Sequence, residues 1–288
     1  MSKSKLFLLW VITVVITISI MMYQRLTGPT YPAKTDVMLE QQKYHFDLIR
    51  TCEIGSECNI DLPIEDTSVE AIIFYKKYRV DEAWTSEKMI RKSIHKNAIF
   101  GEGKEISVLS STLPEQAAAG KIEYHIELYK GESKIAIMDK TPVVVRFKGF
   151  VPRYILIPHI LFMIISLLFA TRAGIETIFK GNNTIKFARV TIIALGIGGL
   201  LLGPLVQEYA FGAYWTGWPF GGDWTDNKTL FAFIFWVFAF FVLRKKPQNR
   251  LWPILALIVL FSMYLIPHSK GGSELNTSTG KIETGLKK

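Results

Sequence analysis

Five apolar runs bracket one long polar stretch. Leu6–Tyr23 is almost uninterrupted apolar sequence, as are Tyr154–Ala170, Val190–Leu205, Leu230–Leu243 and Leu251–Ile266. A bilayer core needs about 20 apolar residues in helical form. The shorter runs reach that length with flanks such as Val151–Arg153 and Val206–Tyr209. The pattern predicts five transmembrane helices. Glycines 196, 198, 199 and 203 fall in the third run, where small residues let helices approach closely. The polar stretch between the first and second runs carries the period of strands. Lys121–Leu128 alternates strictly, with Ile122, Tyr124, Ile126 and Leu128 on one face and His125 on the other, which predicts a solvent-facing His125. Val69–Tyr78 and Pro142–Phe147 are rich in β-branched and aromatic residues, and Lys43–Arg50, Ile106–Leu109 and Lys134–Met138 add shorter candidates. Roughly seven short strands separated by turns predict an antiparallel β-sandwich. Trp84–His95 reads as a short helix or an irregular excursion, and Ala117–Gly120 as a helix end or a loop.

These runs divide the chain. Residues 1–25 form an N-terminal transmembrane anchor; Met21-Met22-Tyr23 offers no small-residue cleavage site, so an uncleaved anchor is expected. Residues 33–149 form the β-domain, after a rigid Gly28-Pro29-Thr30-Tyr31-Pro32 linker. Residues 151–268 form a four-helix transmembrane domain with an aromatic loop at 207–228, and 269–288 form a polar tail expected to be disordered. The fold class is thus α-helical membrane protein plus an extracytoplasmic antiparallel β-sandwich.

Charge sets the orientation. The chain carries 34 basic and 25 acidic residues, a formal charge of +9. Ten of the basic residues and one acid, Glu176, lie in three short segments, Met1–Lys5, Thr171–Arg189 and Arg244–Arg250, and elsewhere the charges cancel. Basic residues concentrate on the cytoplasmic side of membrane proteins. The N-terminus is therefore expected in the cytoplasm, with the β-domain, the aromatic loop and the C-terminus outside, in a bacterial inner membrane. This placement of charge argues for a lipid bilayer as partner and against nucleic acid. Cys52 and Cys58 fall outside the cytoplasm, flank a Gly-Ser turn and are expected to form a disulfide.

The candidate chemistry sits at the loop. Tyr209–Lys228 holds three tryptophans (Trp215, Trp218, Trp224), two tyrosines, two phenylalanines, four glycines and two aspartates (Asp223, Asp226). Aromatic rings gather at membrane interfaces because they are amphipathic, which explains most of that composition. The aspartates read as helix caps or as cation ligands. Leu-Ile-Pro-His occurs twice, ending at His159 where the second span opens and at His268 where the fifth closes. Both corners fall on the loop's side of the membrane. Imidazole there is a candidate ligand for a metal or haem iron, or a helix-end device satisfying free carbonyls.

A tryptophan-rich loop ending in Asp and flanked by two external histidines resembles the haem-handling membrane proteins of cytochrome c maturation. The resemblance covers the loop and the two histidines, under a third of the chain, and the tryptophan spacing differs. It implies haem bound between His159 and His268, with Trp215, Trp218 and Trp224 as platform and Asp223 or Asp226 at the acidic end. The string from Gly203-Pro204 to Thr225-Asp226-Asn227-Lys228 also resembles a group of uncharacterised bacterial envelope membrane proteins, which implies no activity. Two functions follow. One is handling or presenting haem or a metal at the outer face for a respiratory or cytochrome assembly partner. The alternative is a non-catalytic interaction or assembly subunit, in which the β-domain binds a membrane or periplasmic protein. No residue is assigned a catalytic role in either.

Overall fold

A computed structural model of the chain describes residues 2–96, 103–267, 272–277 and 279–284. The chain divides into two compact units: a helical one from the segments up to Gly28 and from Phe150 onward, and a β unit from Pro29–Gly149, to which Leu275–Lys281 also belongs.

The β unit contains eleven strands among its described residues: β1 (Ala33–Leu39), β2 (Gln42–Leu48), β3 (Thr51–Glu53), β4 (Cys58–Pro63), β5 (Glu70–Lys77), β6 (Thr85–Lys88), β7 (Ile90–Lys96), β8 (Lys104–Leu113), β9 (Lys121–Lys130), β10 (Ser133–Ile137) and β11 (Val143–Lys148). Six of them share a sheet in which β3, β11, β9, β5 and β6 lie side by side and β10 also pairs with β9. β4, β8 and β7 make a second sheet, and β1 and β2 a third. Pairing is antiparallel except between β3 and β11, where Thr51 to Glu53 run parallel to Arg146 to Lys148. One core draws on all three sheets, including Phe46, Ile60, Ile73, Leu109, Tyr124, Ile126 and Phe147. The period-2 faces of β4 and β11 alternate buried and half-buried, as one-sided strands should. Cys52 and Cys58 sit at disulfide distance, their Cα atoms 5.5 Å apart, across a turn whose Gly55 takes a φ of 80°.

Two expectations for this unit are corrected. Trp84–His95 is neither a helix nor irregular, since it contains β6 and most of β7. His125 does not point to solvent. It is buried, stacked on Phe74 at 4.9 Å and met edge-on by Trp84 at 4.6 Å. Alternation along β9 identified its second face, and Trp84 covers that face. Lys76 lies 5.0 Å from the indole ring and helps to hold it there. Ala117–Gly120 is a loop, the alternative to a helix end.

In the helical unit, α1 (Lys3–Thr27), α2 (Arg153–Ile178) and α5 (Trp224–Lys245) are each long and apolar enough to cross a bilayer, as is the continuous helix Thr184–Phe211. The last is α3 (Thr184–Leu195), a π-helical turn (Gly196–Leu202) and α4 (Gly203–Phe211) in succession. A shorter apolar helix, α6 (Leu251–Leu265), follows α5. Pro204 explains the change of pitch. It has no N–H to return to the preceding turn, and Gly203 N–H reaches back to Gly198 O instead. Many inward positions are small: Ala170, Ala173, Ala188, Ala232, Ala239 and Ala256 share one buried cluster with Trp236 and four leucines. Phe7, Val15, Ile157, Leu161, Leu201, Phe241 and Ile258 are left uncovered, the outward apolar face that a bilayer covers. Hydroxyls within the helices are satisfied locally, Thr13 on Leu9 O and Thr17 on Thr13 O. In the tail, read from sequence as disordered, Glu274–Leu275 and Ile282–Glu283 are two short strands.

Candidate functional site at the aromatic loop

The loop begins where Gly212, in the left-handed conformation, ends α4 by donating its N–H to Glu208 O. It ends where Asp223 caps α5, accepting from Thr225 N at 2.7 Å. Asp226 lies in the first turn of that helix, where a negative charge suits the helix dipole. It accepts Thr216 N–H at 2.7 Å across the loop. With its amide oriented to satisfy both neighbours, Gln207 donates to Asp226 Oδ1 at 2.7 Å and accepts from Thr216 Oγ1 at 2.5 Å. The second oxygen of Asp223 lies 3.1 Å from Thr216 Oγ1 and 3.4 Å from Ser273 Oγ. Both carboxylates are buried, at 4% and 8% exposure, and both face donors of the loop and its surroundings. Gly217 makes the approach possible, since a Cβ there would stand 2.6 Å from the Cβ of Asp226.

The rest of the loop folds on the same hub. Asp223 N donates to Thr216 O at 3.0 Å, Trp218 N to Asn227 Oδ1 at 2.6 Å, and Trp215 Nε1 to Trp218 O at 3.0 Å. From the C-terminal tail, the Thr284 hydroxyl accepts from Gly222 N at 2.9 Å. Trp218 and Phe220 stay exposed, at 67% and 82%, and Trp224 is 40% exposed. Of the three predicted platform rings, two are thus exposed, and the third, Trp215, is half-buried and donates inward. Asn227-Lys228-Thr229 is part of α5; Lys228 is buried and its ammonium donates to Ile266 O at 2.8 Å.

His159 belongs to α2, and its Nδ1 is 2.8 Å from Gly198 O in the π-helical turn. A carbonyl only accepts, so Nδ1 carries the proton and a neutral ring keeps its lone pair on Nε2. That is how a ligating imidazole is oriented from behind. His268 lies outside the described residues, so the predicted His159–His268 pair has no geometry to report. Among the described residues no group of three His, Cys, Asp or Glu side chains is placed to hold a metal ion. An axial haem ligand at this site would be His159 Nε2; the aspartates are engaged as caps and loop ties.

Several residues at this hub carried no signal of their own. Gln207, Thr216, Ser273 and Thr284 are ordinary polar residues, and their convergence is tertiary. Lys228 did carry one, an ionisable residue one turn into an aromatic helix, which is expensive unless it has a partner. No family model, curated protein or solved structure matches this chain.

Proposed function

We propose that the protein is a non-catalytic component of a bacterial cell envelope, anchored in the inner membrane by five spans, whose sandwich-like β unit binds a partner protein on the outer side. The observation that carries this reading is the edge of the six-stranded sheet. β6 ends that sheet, and all four of its residues are exposed. Ile90, just after it, is 69% exposed. An exposed edge offers unpaired N–H and C=O groups, and a partner strand adds to such an edge. The loop supports the reading from the other unit, because its carboxylates and Trp215 are spent on holding the loop closed.

The test is site-specific photo-cross-linking in intact membranes from Ile90 and Glu87. A single discrete adduct is expected. Neighbouring residues of a strand aim their N–H groups to opposite sides, so one of Ser86→Pro and Glu87→Pro removes an outward donor and should abolish the adduct. No adduct from either position would sink the proposal. The haem reading stands second, supported by the orientation of His159. It requires a Soret band in protein purified from haem-replete cells, weakened in His159→Ala and in His268→Ala. A colourless preparation that takes up no haem on titration would end it.

A further inference from the structure

At the end of the helical unit opposite to the loop in sequence order along α2, α3, α5 and α6, a polar cavity of about 250 Å³ opens among the helix ends. One water needs only about 10–15 Å³ by such a measure. The walls are Thr177 in the last turn of α2, Gly181 and Asn182 after it, Thr184 at the start of α3, and Gln248 to Arg250 before α6, with Ile185 and Leu243 as apolar margins. The charge in the lining is Arg250. One guanidinium nitrogen is anchored on Thr177 O at 2.7 Å, out of five donors the group carries.

The charges around the cavity are mainly basic, with one paired acid among them. The first turn of α3 contributes Thr184 and Ile185 to the wall, and its N-cap Asn183 makes no capping bond; the Asn183 side chain is 3.4 Å from Glu176 Oε1 instead. α6 begins directly after Arg250, and its N-terminus is capped by Asn249 of the wall, whose Oδ1 accepts from Trp252 N at 3.2 Å. Glu176, the lone acid of the basic segments, is bound to Arg172 at 2.7 Å with both side chains buried, and its other oxygen accepts from Asn183 N at 3.2 Å where α3 starts. Lys180, Lys186, Arg244, Lys245 and Lys246 stand in the flanking sequence.

We propose that this cavity is a binding site for the phosphate of an anionic phospholipid. A phosphate diester accepts N–H donors from a guanidinium and from side-chain amides such as those of Asn182 and Gln248, and the apolar margin at Ile185 receives the first part of the acyl chains. The proposal rests on the reading of these helices as bilayer spans. Carbonate extraction tests that reading separately: release of the chain from membranes would end both, whereas an integral chain without lipid preference would end this proposal alone.

The experiment uses the full chain in mild detergent and native mass spectrometry. Phosphatidylglycerol and phosphatidylcholine with the same acyl chains are compared, and inorganic phosphate is the competitor. Wild-type protein should retain phosphatidylglycerol in preference by about tenfold, because the phosphatidylcholine headgroup presents the same diester with a choline cation that meets the basic wall with like charge. Arg250→Gln should erase the preference. Gln248→Glu, which keeps the Arg250–Thr177 anchor and adds a negative charge to the wall, should erase it as well, which separates binding from folding. Lys246→Gln, on the same side but outside the lining, should keep most of it. Competition by millimolar phosphate against the lipid supports the shared chemistry. Equal retention of both lipids, a preference that survives both cavity variants, or phosphate binding without any lipid preference would overturn the proposal.

Discussion

Arg172 and Glu176 are among the most buried charges in the chain, at 0% and 1% side-chain exposure, one helical turn apart on α2. The guanidinium lies 5.3 Å from the ring of Trp10 and 5.0 Å from that of Phe187, so it is held by aromatic faces as well as by its carboxylate. Breaking one half of such a pair leaves an uncompensated charge. Glu176→Gln should lower stability by about 3–5 kcal/mol, while the double change Arg172→Met with Glu176→Leu should stay within a few kcal/mol of the parent on either side. Thermal unfolding in detergent measures both; equal losses would show that packing and not charge holds this turn. At the loop, Asp226→Ala strands Thr216 N–H and the Gln207 amide in a half-buried place, at a total of about 1–3 kcal/mol. Protease nicking between Gly212 and Gly222 should accelerate accordingly, and an unchanged nicking rate would show that the loop does not depend on this tie.

Among the elements, the π-helical turn and β9 each admit a test. A Cβ on Gly198 would come within 2.8 Å of the Cβ of Phe162 and 3.1 Å of Met163 N on α2. Gly198→Val should therefore push α2 off the turn, at about 1–3 kcal/mol, and disturb the His159 bond to Gly198 O. Gly212→Ala, where φ is 74° and the surroundings are open, should cost only the strain of a left-handed alanine. On β9, burial lowers the affinity of His125 for a proton, against the weaker opposing pull of Asp139 and Glu127. The unfolded chain then binds the proton more readily than the folded one. Stability is complete above the ordinary histidine value near 6.5 and declines as pH falls below it, before the carboxylates near 4 begin to titrate. His125→Phe keeps the stack on Phe74 and should flatten the stability profile in that window. A profile as steep in the variant as in the parent would place the titration elsewhere.

For the whole molecule, the arrangement of charge predicts an orientation that labelling can read. In a Cys52→Ala, Cys58→Ala background, Thr35→Cys in the β unit should react with an impermeant maleimide in intact spheroplasts. Gln248→Cys, between α5 and α6, should react only after the membrane is opened. The reverse pattern would invert the proposed topology, and with it the side on which β6 meets a partner. The driving force for this orientation is the concentration of ten basic residues in three segments, and Glu176 barely dilutes it because Arg172 already neutralises it.

By itself the sequence determined the coarse architecture. Uninterrupted apolar runs leave a chain few choices but helices in lipid, because backbone groups there must bond within the segment. Strict alternation in β9, and a turn that brings Cys52 to Cys58, are equally local and equally legible. The cap at Asp223 was visible for the same reason, since it depends on a carboxylate and an amide two residues apart. What the tertiary structure decided is every feature whose partners are distant in the chain. Trp84 folding over His125, Gln207 and Ser273 meeting at Thr216, Arg172 between Trp10 and Phe187, and Arg250 with Thr177 leave no periodic trace. In each case single residues far apart in the chain are brought together by packing. The aromatic loop shows both limits: its composition announced an interface, and only the fold showed that its two carboxylates tie the loop to the helix it begins.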